Sequence, residues 1–246
     1  MSTSIAIIPA RSGSKSIIDK NLADLGGFPL LAYSIAAAKL STRIDRVIVS
    51  TDSKHYADLA IMYGAEAPFL RPADLSSDTS TDYDFMLHAM QWLAEYESDE
   101  PEYWVHLRPT TPLRNPMLID DAIEKIISAT GATALRSGHL SPESPFKWFR
   151  KNREGYLTGL TSDDTNLDKF NLPRQVFPDV FIPDGYVDVV KRSYILMNEK
   201  LHGDRVLAYE SPYCTEVDSV EELELLDFEI SKKGSPLLDY LRGLII

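Results

Sequence analysis

Apolar and polar positions alternate in blocks along the first hundred residues, and each block has the length of one strand or one helix. Residues 4–9 (SIAIIP) form a short apolar run of the kind carried by a strand buried on both faces. Residues 29–39 (PLLAYSIAAAK) predict a helix with proline in its first turn. A second β-rich run lies at 46–50 (RVIVS), followed by a helix over 54–63 that stops before Gly64. Residues 66–70 predict a third strand, 81–97 a helix, and 103–107 (YWVHL) a fourth strand. A helix over 118–129 and a strand near 132–136 follow. This alternation predicts an α/β fold, a doubly wound and mostly parallel sheet with right-handed crossovers. In such sheets ligands bind beyond the carboxyl ends of the strands, so the loops after strands are where chemistry is expected.

The rhythm changes after about residue 137. Residues 138–178 are rich in proline and polar residues and show no long helical pattern, which predicts an inserted lobe or dimerisation arm within a single domain spanning 1–246. Regular patterning resumes at 185–191 (GYVDVVK) and 205–209 (RVLAY), with a last helix predicted over 219–232.

Composition removes several function classes. Asp and Glu total 37 against 25 Lys and Arg, a formal net charge of -12, which argues against nucleic acid or an anionic membrane as partner. A single cysteine, Cys214, excludes an internal disulfide framework and a multi-cysteine zinc cage. No apolar run reaches the ~18 residues of a membrane span, and Arg11 interrupts the first apolar stretch, so a soluble, cytoplasmic chain is expected. The five histidines lack metal-ligand spacing, and neither a nucleophile elbow nor a zincin motif is present.

Against that acidic background the loop after the first strand stands out. PARSGSKSIIDKN (9–21) combines a glycine, small hydroxyl residues and three cations, Arg11, Lys15 and Lys20, with one acid, Asp19. Amides of a Gly/Ser-rich turn form an anion-sized nest, and Arg and Lys add charge-assisted hydrogen bonds. That chemistry suits a triphosphate, whose leaving pyrophosphate needs positive charge where negative charge builds up. The loop is neither a P-loop nor a dinucleotide fingerprint. A solvated basic turn is the competing explanation.

IIPARSGSKSIIDKN, then PLLAYSI, VIVSTD, FLRPADLSSDT and LRPTTPLR, in that order from residue 5 to about 114, resembles the N-acylneuraminate (CMP-sialic acid, nonulosonate) cytidylyltransferase family. The likeness returns at PRQ (173–175), PDG (183–185) and EVDS (216–219). It implies transfer of CMP from CTP to the anomeric hydroxyl of a nonulosonic acid of sialic, legionaminic or pseudaminic type, with Mg²⁺ as cofactor and a homodimer whose 138–178 lobe reaches across. Residue by residue, it implies nucleotide binding by Arg11, Ser14, Lys15, Lys20 and Asn21, with Lys20 near the α-phosphate, and a base and ribose pocket built by Arg71, Ser77 and Asp78. Ser77, Asp78 and Thr79 also suit the cap of the following helix. It implies acceptor contacts from Arg108, Thr110, Thr111, Lys147, Arg174 and Gln175. Arg108 stands where sialic-acid enzymes commonly carry Gln, and Ile182 where a second Arg often precedes the Asn-Gly that is PDG here. Arg114 is equally readable as a structural ion-pair former.

The metal candidates are Glu216 and Asp218. Two carboxylates one residue apart on an extended segment face the same way and can share a hard cation with phosphate oxygens. Glu216 departs from the family's Asp-x-Asp pattern, which leaves Asp218 as the principal ligand. Residues 218–222 also fit a helix capping box. Lys20, Arg11 and Asp218 are thus the expected catalytic group. Two further motifs keep alternatives open. Asp82-Tyr-Asp84 resembles the D-x-D of metal-dependent glycosyltransferases yet falls at a predicted helix start. Asp52, closing VIVSTD, either approaches ligand or caps the next helix. The competing functions are a nucleotidyltransferase for another sugar acid or another nucleotide, and a non-catalytic nucleotide-binding protein.

Overall fold

The computed structural model describes residues 3–14, 17–162 and 164–244. Strand β1 (Ser4–Pro9) opens the chain, and a two-residue ribbon, β2 (Asp24–Leu25) with β3 (Phe28–Pro29), leads into helix α1 (Leu30–Leu40). Nine of the eleven α1 residues are buried, which is why its pattern is apolar all round. Then come β4 (Arg46–Ser50), α2 (Lys54–Met62), α3 (Asp82–Glu97), β5 (Tyr103–His106), α4 (Pro116–Ser128) and β6 (Ala134–Leu140). A small hairpin, β7 (Phe149–Lys151) with β8 (Leu157–Gly159), precedes β9 (Phe181–Lys191), α5 (Arg192–Asn198), β10 (Val206–Glu210), α6 (Val220–Lys233) and α7 (Pro236–Gly243).

Six strands form the central sheet in the order β10-β6-β9-β5-β1-β4. β1 runs parallel to β4 and β5, and β10 parallel to β6, while β9 runs antiparallel to both its neighbours. The sheet is therefore mostly parallel and doubly wound, as expected. Alternate side chains of each central strand enter different cores. Ala6, Ile8, Val47, Val49 and Val105 pack with α1, α4, α6 and α7 on one face, and Ile5, Ile7, Ile48 and Trp104 pack with α3 and α5 on the other. Burial on both faces is what makes these strands continuous apolar runs.

Several expectations need correction. The strand expected at 66–70 reduces to a single bridge between Ile48 and Glu66, because Pro68 has no N–H to continue a ladder. The strand expected at 185–191 begins earlier, at Phe181, since Pro183 and Gly185 are absorbed where the β6 partner shifts register between Arg136 and Gly138. The strand expected near 132–136 begins and ends later, at Ala134–Leu140. The helix expected to be last is followed by α7, whose Ser235 hydroxyl accepts from the Leu238 amide at 3.5 Å and whose first position is Pro236. Helix α5 was not read from the pattern at all. Between β6 and β9, the described residues of 141–180 hold only the β7–β8 hairpin and short 3-10 turns. Among the described residues no helix is long and apolar enough to cross a membrane.

Candidate active site

The loops that follow β1, β4 and β5 open into one cleft at the carboxyl ends of these parallel strands. Arg11, Ser14, Lys20 and Asn21 line it from the loop after β1, Arg71 from the segment after α2, and Arg108 and Thr110 from the loop after β5. Lys15 lies outside the described residues. The local geometry of the first loop is fixed by side chains: the Asn21 amide donates to the Arg11 carbonyl at 3.0 Å, and Asp19 takes a left-handed backbone, φ 51°. Arg11 Nη1 donates to Asp78 Oδ1 at 2.9 Å, and Lys20 Nζ to Asp218 Oδ1 at 2.8 Å. Both described cations of this loop thus carry a carboxylate partner.

Arg71 is 5% exposed. Its Nε donates to Ser50 Oγ at 3.0 Å, a second donor reaches the Ser50 carbonyl, and the guanidinium lies 4.9 Å from the Phe85 ring centroid. Burial pulls its pKa down to about 10. Ser77 is exposed in a turn, with its amide donating to Ser80 Oγ at 3.0 Å. The Ser77 amide, expected at the base and ribose pocket, is thus already engaged within its own turn. Helix α3 is capped instead by a box in which Thr81 and Asp84 satisfy each other's orphan groups. Asp84 is therefore committed to the cap, and Asp82 to an arginine.

That arginine is Arg108. Nη1 donates to Asp188 Oδ2 at 3.0 Å and Nη2 to Asp82 Oδ2 at 2.8 Å. Asp188 is 1% exposed, and a charge so buried requires this pairing. Gly185, at φ +62°, lets Arg108 lie close, since a Cβ there would stand 3.2 Å from Arg108 Cδ. Arg114 proves structural: buried, it donates to the Tyr186, Arg108 and Gly185 carbonyls and to Ser34 Oγ, at 2.5 to 2.9 Å. Asp184 of PDG is likewise enclosed, accepting from Ser137 Oγ at 2.7 Å and the Tyr186 amide at 3.0 Å.

Glu216 and Asp218 flank the fully buried Val217, whose amide donates to the Thr110 carbonyl at 2.7 Å. Thr110 donates its hydroxyl to Glu216 Oε1 at 3.2 Å. Burial raises the Glu216 pKa, and the neighbouring charge of Asp218 raises it further. The capping box of α6 is also present, but its side chains are those of Ser219 and Glu222, so neither carboxylate at 216 or 218 is spent on the cap. Among the described residues no cluster of three or more His, Cys, Asp or Glu forms a metal cage. Cys214 is no nucleophile; burial pushes its thiol up to about 12.

Four of the expected acceptor residues are not brought to this cleft. Thr111 is fully buried and donates to the Asp184 carbonyl at 3.1 Å. Arg174 braces the lobe, donating to the Ser141 and Pro142 carbonyls at 2.6 and 2.9 Å, and Gln175 beside it is exposed. Lys147 sits in a 3-10 turn of the same lobe. The sequence reading missed the roles of Asp82, Asp188 and Phe85. Asp82 stood out only as part of a D-x-D motif, which does not point to Arg108, whereas Asp188 carried the signal of an acid set in the apolar run GYVDVVK.

Residues 5–143 match the family model described as cytidylyltransferase. The chain belongs to this family. This cytidylyltransferase is 33% identical over 242 residues to the N-acylneuraminate cytidylyltransferase of Escherichia coli O18:K1:H7, covering 98% of this chain and 55% of that protein. It is 40% identical over 141 residues, 56% of this chain and 58% of the other, to the CMP-N,N'-diacetyllegionaminic acid synthase of Legionella pneumophila. The chain thus spans between half and two thirds of the length of these relatives. Among solved structures, a CMP:2-keto-3-deoxy-manno-octonic acid synthetase complexed with CTP superimposes with a TM-score of 0.70 at 16% identity, over 94% of this chain and 100% of that one, which shows a shared fold.

Proposed function

We propose that this cytidylyltransferase moves CMP from CTP to the anomeric hydroxyl of a nonulosonic acid and releases pyrophosphate. The observation that carries this reading is one cleft lined by Arg11, Lys20, Asn21, Arg71 and Thr110, with Asp218 paired to Lys20 and Glu216 hydrogen-bonded to Thr110. The two relatives, an N-acylneuraminate cytidylyltransferase and a CMP-N,N'-diacetyllegionaminic acid synthase, support the substrate class.

In this reading the triphosphate lies along the loop after β1, with phosphate oxygens replacing Asp78 and Asp218 as partners of Arg11 and Lys20. Lys20, 14% exposed and fixed at the cleft wall, stabilises charge on the α-phosphoryl group, and Arg11 stabilises the departing pyrophosphate. Arg71, rigid against Ser50 and Phe85, borders the nucleoside end. The sugar hydroxyl oxygen forms a bond to the α-phosphorus as the bond to the bridging oxygen breaks. No covalent enzyme intermediate is needed, and the rate comes from positioning and electrostatics.

Glu216 and Asp218 fit a hard cation such as Mg²⁺: both offer oxygen donors, and each other's charge is the repulsion that a cation relieves. When bound, the ion supplies Lewis-acid polarisation of phosphate oxygens. Arg108 and Thr110 face the acceptor end. Lys147, Arg174 and Gln175 join them if the lobe of a second copy reaches over, and the exposed Trp148, Phe149, Val176 and Phe181 of this segment are the apolar surface for such a homodimer.

The test is pyrophosphate release from CTP and Mg²⁺ across sialic, legionaminic, pseudaminic and Kdo-type acids, with GTP and UTP as alternative donors. Turnover with CTP and one nonulosonic acid, lost in Asp218→Ala, is the expected result. Turnover with a Kdo-type acid alone, or with GTP or UTP in place of CTP, would reassign the substrate, and silence with CTP still bound would leave a nucleotide-binding protein.

A further inference from the structure

Asp52 closes the VIVSTD run, yet it does not cap α2. That task falls to Ser53, whose hydroxyl accepts from the Tyr56 amide at 3.4 Å. The Asp52 carboxylate turns instead to the loop after β1. Its Oδ1 accepts from the Ser12 amide at 2.7 Å and its Oδ2 from the Ser12 hydroxyl at 2.6 Å. Four residues further on, the buried Tyr56 donates its hydroxyl to Asp19 Oδ1 at 2.8 Å. Ser12 and Asp19 flank the same loop, Ser12 next to Arg11 and Asp19 next to Lys20. The junction of β4 and α2 therefore grips that loop at both ends.

A carboxylate beside an anion-binding loop works against the anion unless it does something there that a neutral residue does less well. Burial raises the pKa of Asp52, but the two Ser12 hydrogen bonds outweigh it and leave the group below the usual carboxylate range, so it is an anionic acceptor at neutral pH. Bonds to an ionised acceptor are about twice as strong as neutral ones, which suits a fastening for backbone that must not give way under a triphosphate. The same strand end holds the other half of the cleft. The Arg71 amide donates to the Thr51 carbonyl at 2.7 Å, and the Arg71 side chain is held by Ser50.

We infer that Asp52 and Tyr56 are positioning residues that set the span of the phosphate loop, so that Arg11 and Lys20 meet a triphosphate at a fixed separation, and that the strand end at 50–52 ties this loop to Arg71. Neither residue touches the nucleotide. The inference rests on reading the cleft as a nucleoside triphosphate site, and it predicts an effect graded by phosphate number: CTP depends on the span between the two cations, whereas CMP does not.

The experiment is calorimetric titration of the full chain with CTP and with CMP, together with amide hydrogen exchange of the ligand-free protein. Asp52→Ala is expected to weaken CTP about tenfold or more, the scale of losing hydrogen bonds to a charged group, with CMP changed less than about threefold. Exchange at residues 10–14 and 17–21 accelerates while α1 stays protected. Asp52→Asn, which keeps an acceptor oxygen for the Ser12 amide, recovers part of the CTP affinity. Tyr56→Phe and Ser12→Ala each remove a single bond and show the same CTP-selective loss at smaller size, which keeps the comparison open if Asp52→Ala does not fold. Equal weakening of CTP and CMP, or unchanged exchange in the loop, would overturn the inference. A wild-type chain that binds no CTP would overturn the proposed donor instead, and the exchange comparison would then decide the positioning role alone.

Discussion

Lys20 and Asp218, 198 residues apart in the chain, meet across the cleft at 2.8 Å. One belongs to the first loop and the other to the approach to α6, so the pair closes the nucleotide cleft from both ends of the sequence. It also joins the group proposed for charge stabilisation to the group proposed for metal binding. Removing the cation and removing the anion should therefore fail differently. Lys20→Met is expected to lower kcat by about 10² or more, the usual result of deleting one preorganised donor, with the KM for CTP changed far less. Asp218→Asn should instead raise the Mg²⁺ concentration needed for half-maximal rate. Steady-state kinetics across a Mg²⁺ titration separates the two.

Glu216 makes metal binding at this site sensitive to acid in the proposed reading. Burial and the adjacent Asp218 raise its pKa, so in the metal-free chain it takes up a proton sooner than an ordinary carboxylate on acidification. Mg²⁺ binding should therefore weaken as pH falls through that raised value, and Glu216→Gln should flatten this dependence, as read by calorimetric titration with Mg²⁺. Stability of the metal-free chain moves the other way. A carboxyl whose folded pKa exceeds its unfolded value disfavours folding when ionised, and the penalty fades as pH falls through the folded pKa. Glu216→Gln should therefore melt above wild type at neutral pH, with the difference vanishing on acidification, as followed by thermal denaturation at several pH values.

Arg108 holds two carboxylates of unequal burial. Arg108→Met removes the hydrogen-bonded partner of Asp188, which is 1% exposed, leaving only Arg136 Nε at 4.0 Å as an ion-pair partner among the described residues. It should cost about 3 kcal/mol in urea unfolding, the low end for breaking a buried pair. Asp82→Asn leaves the Arg108–Asp188 pair intact at a site 42% exposed and should cost about 1 kcal/mol or less. Near-equal losses would show that the burial of Asp188 does not set the energetics.

Phe181 and Val176 are 50% and 59% exposed on the lobe proposed to join two copies. Val176→Asp with Phe181→Asp should shift sedimentation toward the monomer and abolish turnover while CTP binding persists, because the nucleotide groups all lie on one chain. Sedimentation unchanged by the double substitution would remove this surface from the interface.

Much of the architecture was legible because the central strands are buried on both faces. SIAIIP and RVIVS read as unbroken apolar runs, and their observed limits agree with the reading. The segment at 66–70 failed because apolar content outweighed Pro68, and α5 was missed because seven residues are too few for a 3.6-residue period to declare itself. Helix α7 did carry its signature, serine followed by proline, and was simply not read. At the site, the phosphate loop was legible from charge density against an acidic chain. The Asp82–Arg108–Asp188 grouping was not, because its contacts span 26 and 80 residues and leave no local spacing. Thr111 misled for a related reason: it adjoins the cleft-lining Thr110, but the loop turns its side chain inward.

The antiparallel course of β9 has a consequence for how this chain can change. β6 ends and β9 begins at the same edge of the sheet, with Leu140 registered against Phe181 and the Ser141 amide donating to the Val180 carbonyl at 2.9 Å. The forty-residue excursion between them thus leaves and re-enters through two adjacent, hydrogen-bonded points. It is a cassette plugged into a closed socket: its length and composition can drift, or be exchanged between relatives, without moving a strand of the sheet or disturbing the triphosphate end of the cleft. Where the excursion supplies acceptor contacts, as proposed above, grafting residues 141–180 should carry those contacts with it and leave the loop after β1 as it is in the host.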